Sequence, residues 1–147
     1  MKYDRLIFVC TENTSRSPMA EAIYRSMTTE ERIPAISRGL VVLFPEPLNP
    51  KADMVLANHN LQIKEGLSRQ LSAEDITDDS LVLTMTLKQK NDVMADYDHN
   101  GQVYTLKEFC GEEGDVTDPY GGTLVDYEAC YNELARLIRK TVYRLEE

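Results

Sequence analysis

The stretch "VCTENTSRSPMAEAI" (Val9–Ile23) puts a thiol, Cys10, six positions ahead of a guanidinium, Arg16, with a hydroxyl, Ser17, directly behind. A thiolate is a strong nucleophile, and a planar guanidinium grips two oxygens of a tetrahedral oxyanion at once. A turn that leads from a strand into a helix over residues 11–16 curls its N–H groups around an anion-sized hollow, and the helix dipole adds positive charge. Cys10, at the base of that hollow, sits in the same field, which favours its thiolate form. Ser17 is placed to donate a hydrogen bond to the sulfur and steady it as a leaving group. Together these residues describe a device that takes a phosphoryl group. Thr11, Glu12, Asn13, Thr14 and Ser15 cradle it, Arg16 clamps it, and Cys10 attacks it.

Such a transfer needs an acid to protonate the leaving alkoxide or amine. The two histidines, His59 and His99, lie in ordinary polar segments. "DVTDPYGG" offers Asp118, whose backbone the following proline restricts, while two glycines allow close approach to a pocket. An isolated Asp-Pro turn is commonplace, and the Cys10–Arg16 pair gives this one its weight. Tyr120 reads either as a wall of the pocket against a flat substrate group or as a half-buried loop tyrosine.

These groups need a frame that brings residues 10–17 and 118 to one edge. "RLIFVC" (Arg5–Cys10) is a near-continuous apolar run, as expected of a strand covered on both faces. A helix is expected from Pro18 to about Glu31, with Ser17 as its cap and Glu21 in its first turn. "AISRGLVV" reads as a second strand weakened by its glycine. "NPKADMVLANHN" reads as a short helix capped by Asn49, with Pro50 first. Ser80–Thr86 is a third strand, "LKQKNDVMADY" its helix, and "QVYTLKEF" a fourth strand. "CGEEGDVTDPYGG" holds four glycines and a proline in thirteen residues and is loop. From Thr123 to Glu147, Leu124, Tyr127, Tyr131, Leu134, Ile138, Val142 and Leu145 recur at steps of three or four, so one long amphipathic helix closes the chain. Strands alternating with helices give an α/β, doubly wound single domain: a four-stranded parallel sheet with helices on both faces, spanning 1–147. Ligands in such folds bind beyond the carboxyl ends of the strands, where Cys10 and Asp118 both fall.

With 147 residues and a net charge of −9, the chain lacks the basic face that nucleic acid or anionic lipid requires. No apolar run approaches the roughly 18 residues of a membrane span, and "MKYDRLIFVC" leaves no room for a signal peptide. Cys10, Cys110 and Cys130 are too scattered for a disulfide framework or a zinc knuckle, so a reduced, cytoplasmic setting is expected. The acidic run Glu112–Asp115 reads as a solvated loop face that also repels acidic substrates. The partners expected are a phosphorylated protein or peptide and an oxyanion in the loop. The chain itself reads as a monomer or weak dimer.

Over essentially its full length the sequence resembles the low-molecular-weight protein tyrosine phosphatase family. The resemblance rests on the Cys-x5-Arg-Ser loop after strand one, "PMAEAI" on the helix, "SRGL" at the second strand and "DPYGG" before the last helix. It implies Cys10 as nucleophile, Arg16 as phosphate clamp, Ser17 as thiolate partner, Asp118 as general acid and then base, and Asn13 as the residue fixing a strained turn. It implies a phosphocysteine intermediate and no metal or other cofactor. Two positions depart from the family. Glycine is usual at Glu12, so this side chain is expected to face solvent, with backbone strain if a positive φ is required there. Many relatives carry a second cysteine at Ser15, so an oxidised Cys10 lacks that neighbour. Cys110 and Cys130 read as buried residues rather than its redox partners.

Thr14 resembles the branch that hydrolyses phosphoarginine, as do the glycines of "DPYGG", whereas phosphotyrosine is the family's default substrate. Thioredoxin-coupled arsenate reductases share the loop but need two downstream cysteines, which "SLVLTMTLKQKNDVM" does not contain. A non-hydrolytic phosphocarrier or phosphate-binding module has no use for Asp118.

Overall fold

The computed structural model describes residues 2–29, 32–63, 66–97 and 102–146. Four parallel strands form one sheet: β1 (Arg5–Cys10), β2 (Ala35–Gly39), β3 (Ser80–Thr84) and β4 (Gln102–Thr105), in the order β2-β1-β3-β4. β1 runs through the centre with Cys10 opposite Gly39 and Val9 opposite Thr84. The chain leaves β1 toward one edge and later returns to β3 on its other side. The end of β1 is therefore the point where strand order reverses and crossover loops part to leave a crevice.

Alternation along β1 decides which face receives the thiol. Leu6, Phe8 and Cys10 point into one core, with α1 (Arg16–Met27), α2 (Pro50–Asn58) and α5 (Leu124–Leu145). Ile7 and Val9 point into the other, with Leu71, Val82 and Val93 of α3 (Leu87–Asp96). Helices thus cover both faces, as the alternating sequence pattern requires, and Cys10 faces the side on which α1 begins.

The boundaries differ from the sequence reading where polar side chains have business elsewhere. α1 begins at Arg16, with Ser15 in the capping position, and ends at Met27; Glu31 lies outside the described residues. Ser17 therefore does not cap α1, because its hydroxyl is turned to Cys10, and Pro18 and Glu21 lie further into the helix than expected. β2 stops at Gly39, and β3 stops at Thr84. The fourth strand is only four residues long, because Thr105 caps a single helical turn, α4 (Leu106–Phe109), by accepting from the N–H of Glu108. Asn49 caps α2 with Pro50 first, as the sequence suggested, and Thr123 caps α5. The expected end of α5 at Glu147 lies outside the described residues.

Candidate active site

The loop between β1 and α1 is held by polar contacts from four directions. Asn13 adopts φ = +59°, one of two left-handed non-glycine residues among those described. Three hydrogen bonds hold it there. Its Nδ2 donates to Ser17 Oγ at 2.7 Å and to Ser37 Oγ at 3.1 Å, and its Oδ1 accepts from the Arg69 N–H at 3.0 Å. The left-handed turn falls on Asn13 and not on Glu12, so the strain expected at Glu12 is absent. Glu12 is exposed, as expected.

Gly39 explains the "SRGL" signature. A Cβ there would stand 2.6 Å from Val42 Cγ2, 2.9 Å from the Thr11 carbonyl oxygen and 3.0 Å from Asn13 Cβ. The end of β2 lies flush against the loop, and the N–H groups of Leu40 and Val41 donate to the Thr11 carbonyl at 2.8 and 2.9 Å. On the other side Gln89 Nε2 donates to Thr11 Oγ1 at 3.1 Å, while Gln89 Oε1 accepts from Met85 and Thr86. Meanwhile, among the described residues, no backbone N–H from Thr11 to Ser17 donates to a protein acceptor. These donors, with the start of α1, form a cluster suited to an anion.

Cys10 Sγ lies 2.9 Å from Ser17 Oγ. Because Asn13 Nδ2 already donates into that oxygen, the Ser17 proton points at one of two acceptors, the sulfur at 2.9 Å or the more distant Arg38 carbonyl at 3.5 Å. The relay Asn13 → Ser17 → Cys10 thus aims a hydroxyl proton at the sulfur. Arg16, only 6% exposed, donates from Nη1 to the Val116 carbonyl at 2.9 Å and sets Nη2 3.6 Å from Asp118 Oδ2. One guanidinium therefore joins the Cys10 loop to a segment a hundred residues away.

Asp118 is half exposed at 53%, and its Oδ1 accepts from the Tyr120 N–H at 3.0 Å. Tyr120 is exposed rather than half-buried, and it borders the same opening as Thr14. Asp115 Oδ1 accepts from Leu87 N at the start of α3, and the Val116 N–H donates to the Met85 carbonyl. Lys51 Nζ holds the Gly122 carbonyl at 2.5 Å. The "EEGD" run is thus not simply a solvated face. Glu112 also pairs with Arg136 and Lys140, whose hydrogen bonds pull its carboxyl down to about 2.

The remaining candidates for chemistry lie elsewhere. His59 stacks on Tyr131 and pairs with Glu128 at 2.6 Å, and His99 lies outside the described residues. Burial pushes the Cys130 thiol up to about 12 and raises that of Cys110, which donates to the Leu137 carbonyl. Neither is poised as a thiolate. Ser15 is buried and faces the Tyr127 phenol, whose pKa burial raises. Among the described residues, no group of three His, Cys, Asp or Glu side chains is arranged to hold a metal, and no helix is long and apolar enough to cross a membrane.

Ser37, the Arg69 N–H, Gln89, Asp115 and Lys51 join the site only through the fold. Only Gln89 carried a readable signal, the Thr-x-x-Gln capping box that opens α3.

Known proteins resemble this chain over nearly its whole length. The model of the family "Low molecular weight phosphotyrosine protein phosphatase" matches residues 5–147. The low molecular weight protein-tyrosine-phosphatase PtpB of Staphylococcus haemolyticus is 39% identical over 136 residues, 92% of this chain and 96% of that protein. The low molecular weight protein tyrosine phosphatase from T. tengcongensis superimposes with a TM-score of 0.89 at 35% identity, covering 95% of this chain and 98% of the other. A YwlE arginine phosphatase, solved as a Cys-to-Ser mutant with a phosphorylated active-site serine, superimposes with a TM-score of 0.87 at 33% identity, covering 97% and 96%.

Proposed function

Because the chain belongs to the low molecular weight phosphotyrosine protein phosphatase family, a family of cysteine-based phosphatases, we propose that Cys10, Arg16 and Asp118 hydrolyse phosphorylated side chains of proteins through a phosphocysteine, with residues 1–147 acting as one domain. The observation that carries this reading is the double contact of Arg16, with the Val116 carbonyl on one nitrogen and Asp118 beside the other. It supports one hollow shared by Cys10, Arg16 and Asp118.

In the first step Cys10 Sγ attacks phosphorus as the bond to the leaving oxygen or nitrogen breaks. Asp118, in its acid form, gives its proton to the leaving group. Free N–H groups over residues 11–17 and the Arg16 fork receive the equatorial oxygens, whose charge they balance in the transition state. In the second step Asp118, now a carboxylate, takes a proton from water as that water attacks phosphorus. The P–S bond breaks and the sulfur leaves as a thiolate that Ser17 hydrogen-bonds. Inorganic phosphate departs, and the enzyme is as it began. The phosphorylated active-site serine of the YwlE relative supports a covalent step at this position. The unpaired state of all three cysteines supports a cytoplasmic setting.

A second reading concerns the substrate. Thr14, half-buried at the mouth, and the likeness to YwlE arginine phosphatase favour phosphoarginine over phosphotyrosine. Peptides carrying each modification, compared side by side with wild type and Thr14→Ile, decide between them. Phosphoarginine turnover that exceeds phosphotyrosine turnover and falls selectively in Thr14→Ile supports the second reading; the reverse order removes it. For the shared mechanism, Cys10→Ser should abolish hydrolysis of p-nitrophenyl phosphate and retain vanadate binding, and a chelator should leave wild-type activity intact. The pH dependence of iodoacetamide alkylation provides the direct test. Alkylation of Cys10 that titrates like free cysteine overturns the proposed thiolate.

A further inference from the structure

A groove of about 580 Å³ opens beside the hollow, and Thr14 borders both. Its walls are the segment after β2, with Val41, Leu43 and Phe44, and Tyr120 from the opposite side. Leu43 and Phe44 are 82% and 74% exposed, an unusual degree for apolar side chains next to one another. Two carboxylates, Glu12 and Glu46, stand at its rim, and no lysine, arginine or histidine lines it.

Most other glutamates are engaged with cations, though Glu74 and Glu113 away from the groove also lack an ion pair among the described residues. Glu21, Glu108, Glu112, Glu128, Glu133 and Glu146 each stand in an ion pair with a cation of the same chain. Glu12 and Glu46 have no ion pair among the described residues. Carboxylates above an apolar wall fit a side chain with a long hydrocarbon stem and a cationic head: the stem lies on Phe44, Leu43 and Tyr120, and the head meets the glutamates. Continuity identifies the molecule that would bring such a side chain. Residues 12 and 14 belong to the phosphate loop and line the groove as well, so the groove lies open to a chain whose phosphorylated residue fills the hollow. A cation there also offsets the repulsion that a protein of net charge −9 exerts on a phosphorylated substrate.

We propose that this groove is a subsite for a lysine or arginine flanking the phosphorylated residue, with Glu12 and Glu46 as specificity-determining residues. The proposal rests on the phosphatase reading above and extends it to the substrate sequence.

The test uses three phosphopeptides identical except for lysine, alanine or glutamate at the positions next to the phosphorylated residue. With wild type at low salt, kcat/KM should favour the lysine peptide over the glutamate peptide by about fivefold, the scale of two exposed ion pairs. High salt should shrink that ratio. Glu46→Gln should halve it or more while leaving p-nitrophenyl phosphate turnover within twofold, and Glu12→Gln should lower the same ratio. Glu46→Arg should bring it to one or below. Affinities of the three peptides for Cys10→Ser, read by fluorescence anisotropy, should follow the same order without any turnover. A wild type indifferent to the flank, or a preference that survives both glutamine variants, overturns the subsite. If p-nitrophenyl phosphate is not hydrolysed, the phosphatase reading fails on its own and the anisotropy series alone decides the groove.

Discussion

Asn13, Ser15, Arg16 and Ser17 are all buried, whereas Asp118 and Tyr120 stand in solvent at the same edge of the sheet. The Cys10 loop is tied by Ser37, Arg69, Leu40, Val41 and Gln89. The Asp118 segment is tied at its ends through Asp115, Val116 and Lys51, while near its tip the half-exposed Asp118 meets Arg16 alone across the hollow. The difference follows from the work of each region. A cradle of aimed donors stabilises a developing charge only if it need not reorganise. An acid that becomes a base must meet both the leaving group and water, which a buried carboxyl cannot do. Rigid on one side and open on the other, the site divides its tasks by burial.

The sharpest attempt to break this division is Asp118→Ala. Turnover of phosphates with poor leaving groups should fall by about 10²–10⁴, with a much smaller loss for p-nitrophenyl phosphate, whose leaving group scarcely needs a proton. Equal losses for both substrates show that Asp118 shapes the site instead.

Two glycines sharpen the comparison. Gly39→Ala forces a Cβ into the Thr11 carbonyl and Asn13, which are held from several sides, and should lower stability by about 1–3 kcal/mol along with kcat. Gly121, at φ = +80° in the Asp118 segment, has open space around a new Cβ. Gly121→Ala should cost about 1 kcal/mol of backbone strain and little more. Thermal unfolding checks both, and equal losses would erase the contrast.

The smallest effect belongs to Glu112, which anchors the start of the loop that leads to Asp118. Its carboxyl is lowered from 4.5 to about 2 by Arg136 and Lys140, so the stability it contributes is complete above about 4.5 and is lost as pH falls toward 2. Glu112→Gln should flatten the change of melting temperature across that window, with a modest loss at neutral pH.

Much of this was legible in one dimension. The apolar run of β1, the stepped stripe of α5 and the cap at Asn49 announced themselves because each depends on neighbours within a turn or two. Ser17 carries two readings in the sequence, helix cap and hydrogen-bond partner of Cys10, and the structure keeps only the second. A serine ahead of a proline satisfies the rules for a helix cap, but α1 begins at Arg16, so Ser17 lies inside the helix and its hydroxyl meets the sulfur seven residues back. The short β4 was overextended because Leu106 and Phe109 are as apolar as strand residues, and the Thr105 cap decides the matter.

Chain order by itself determined the fold class, the pairing of Cys10 with Arg16 on one turn, and the family resemblance, since strand-to-helix loops carry their chemistry at fixed short spacings. Tertiary structure alone decided what holds those groups: Val116 behind Arg16, Gln89 on Thr11, and Ser37 with Arg69 on Asn13. A buried polar group must find a partner, but which one it finds depends on what the crossovers carry to the same strand end.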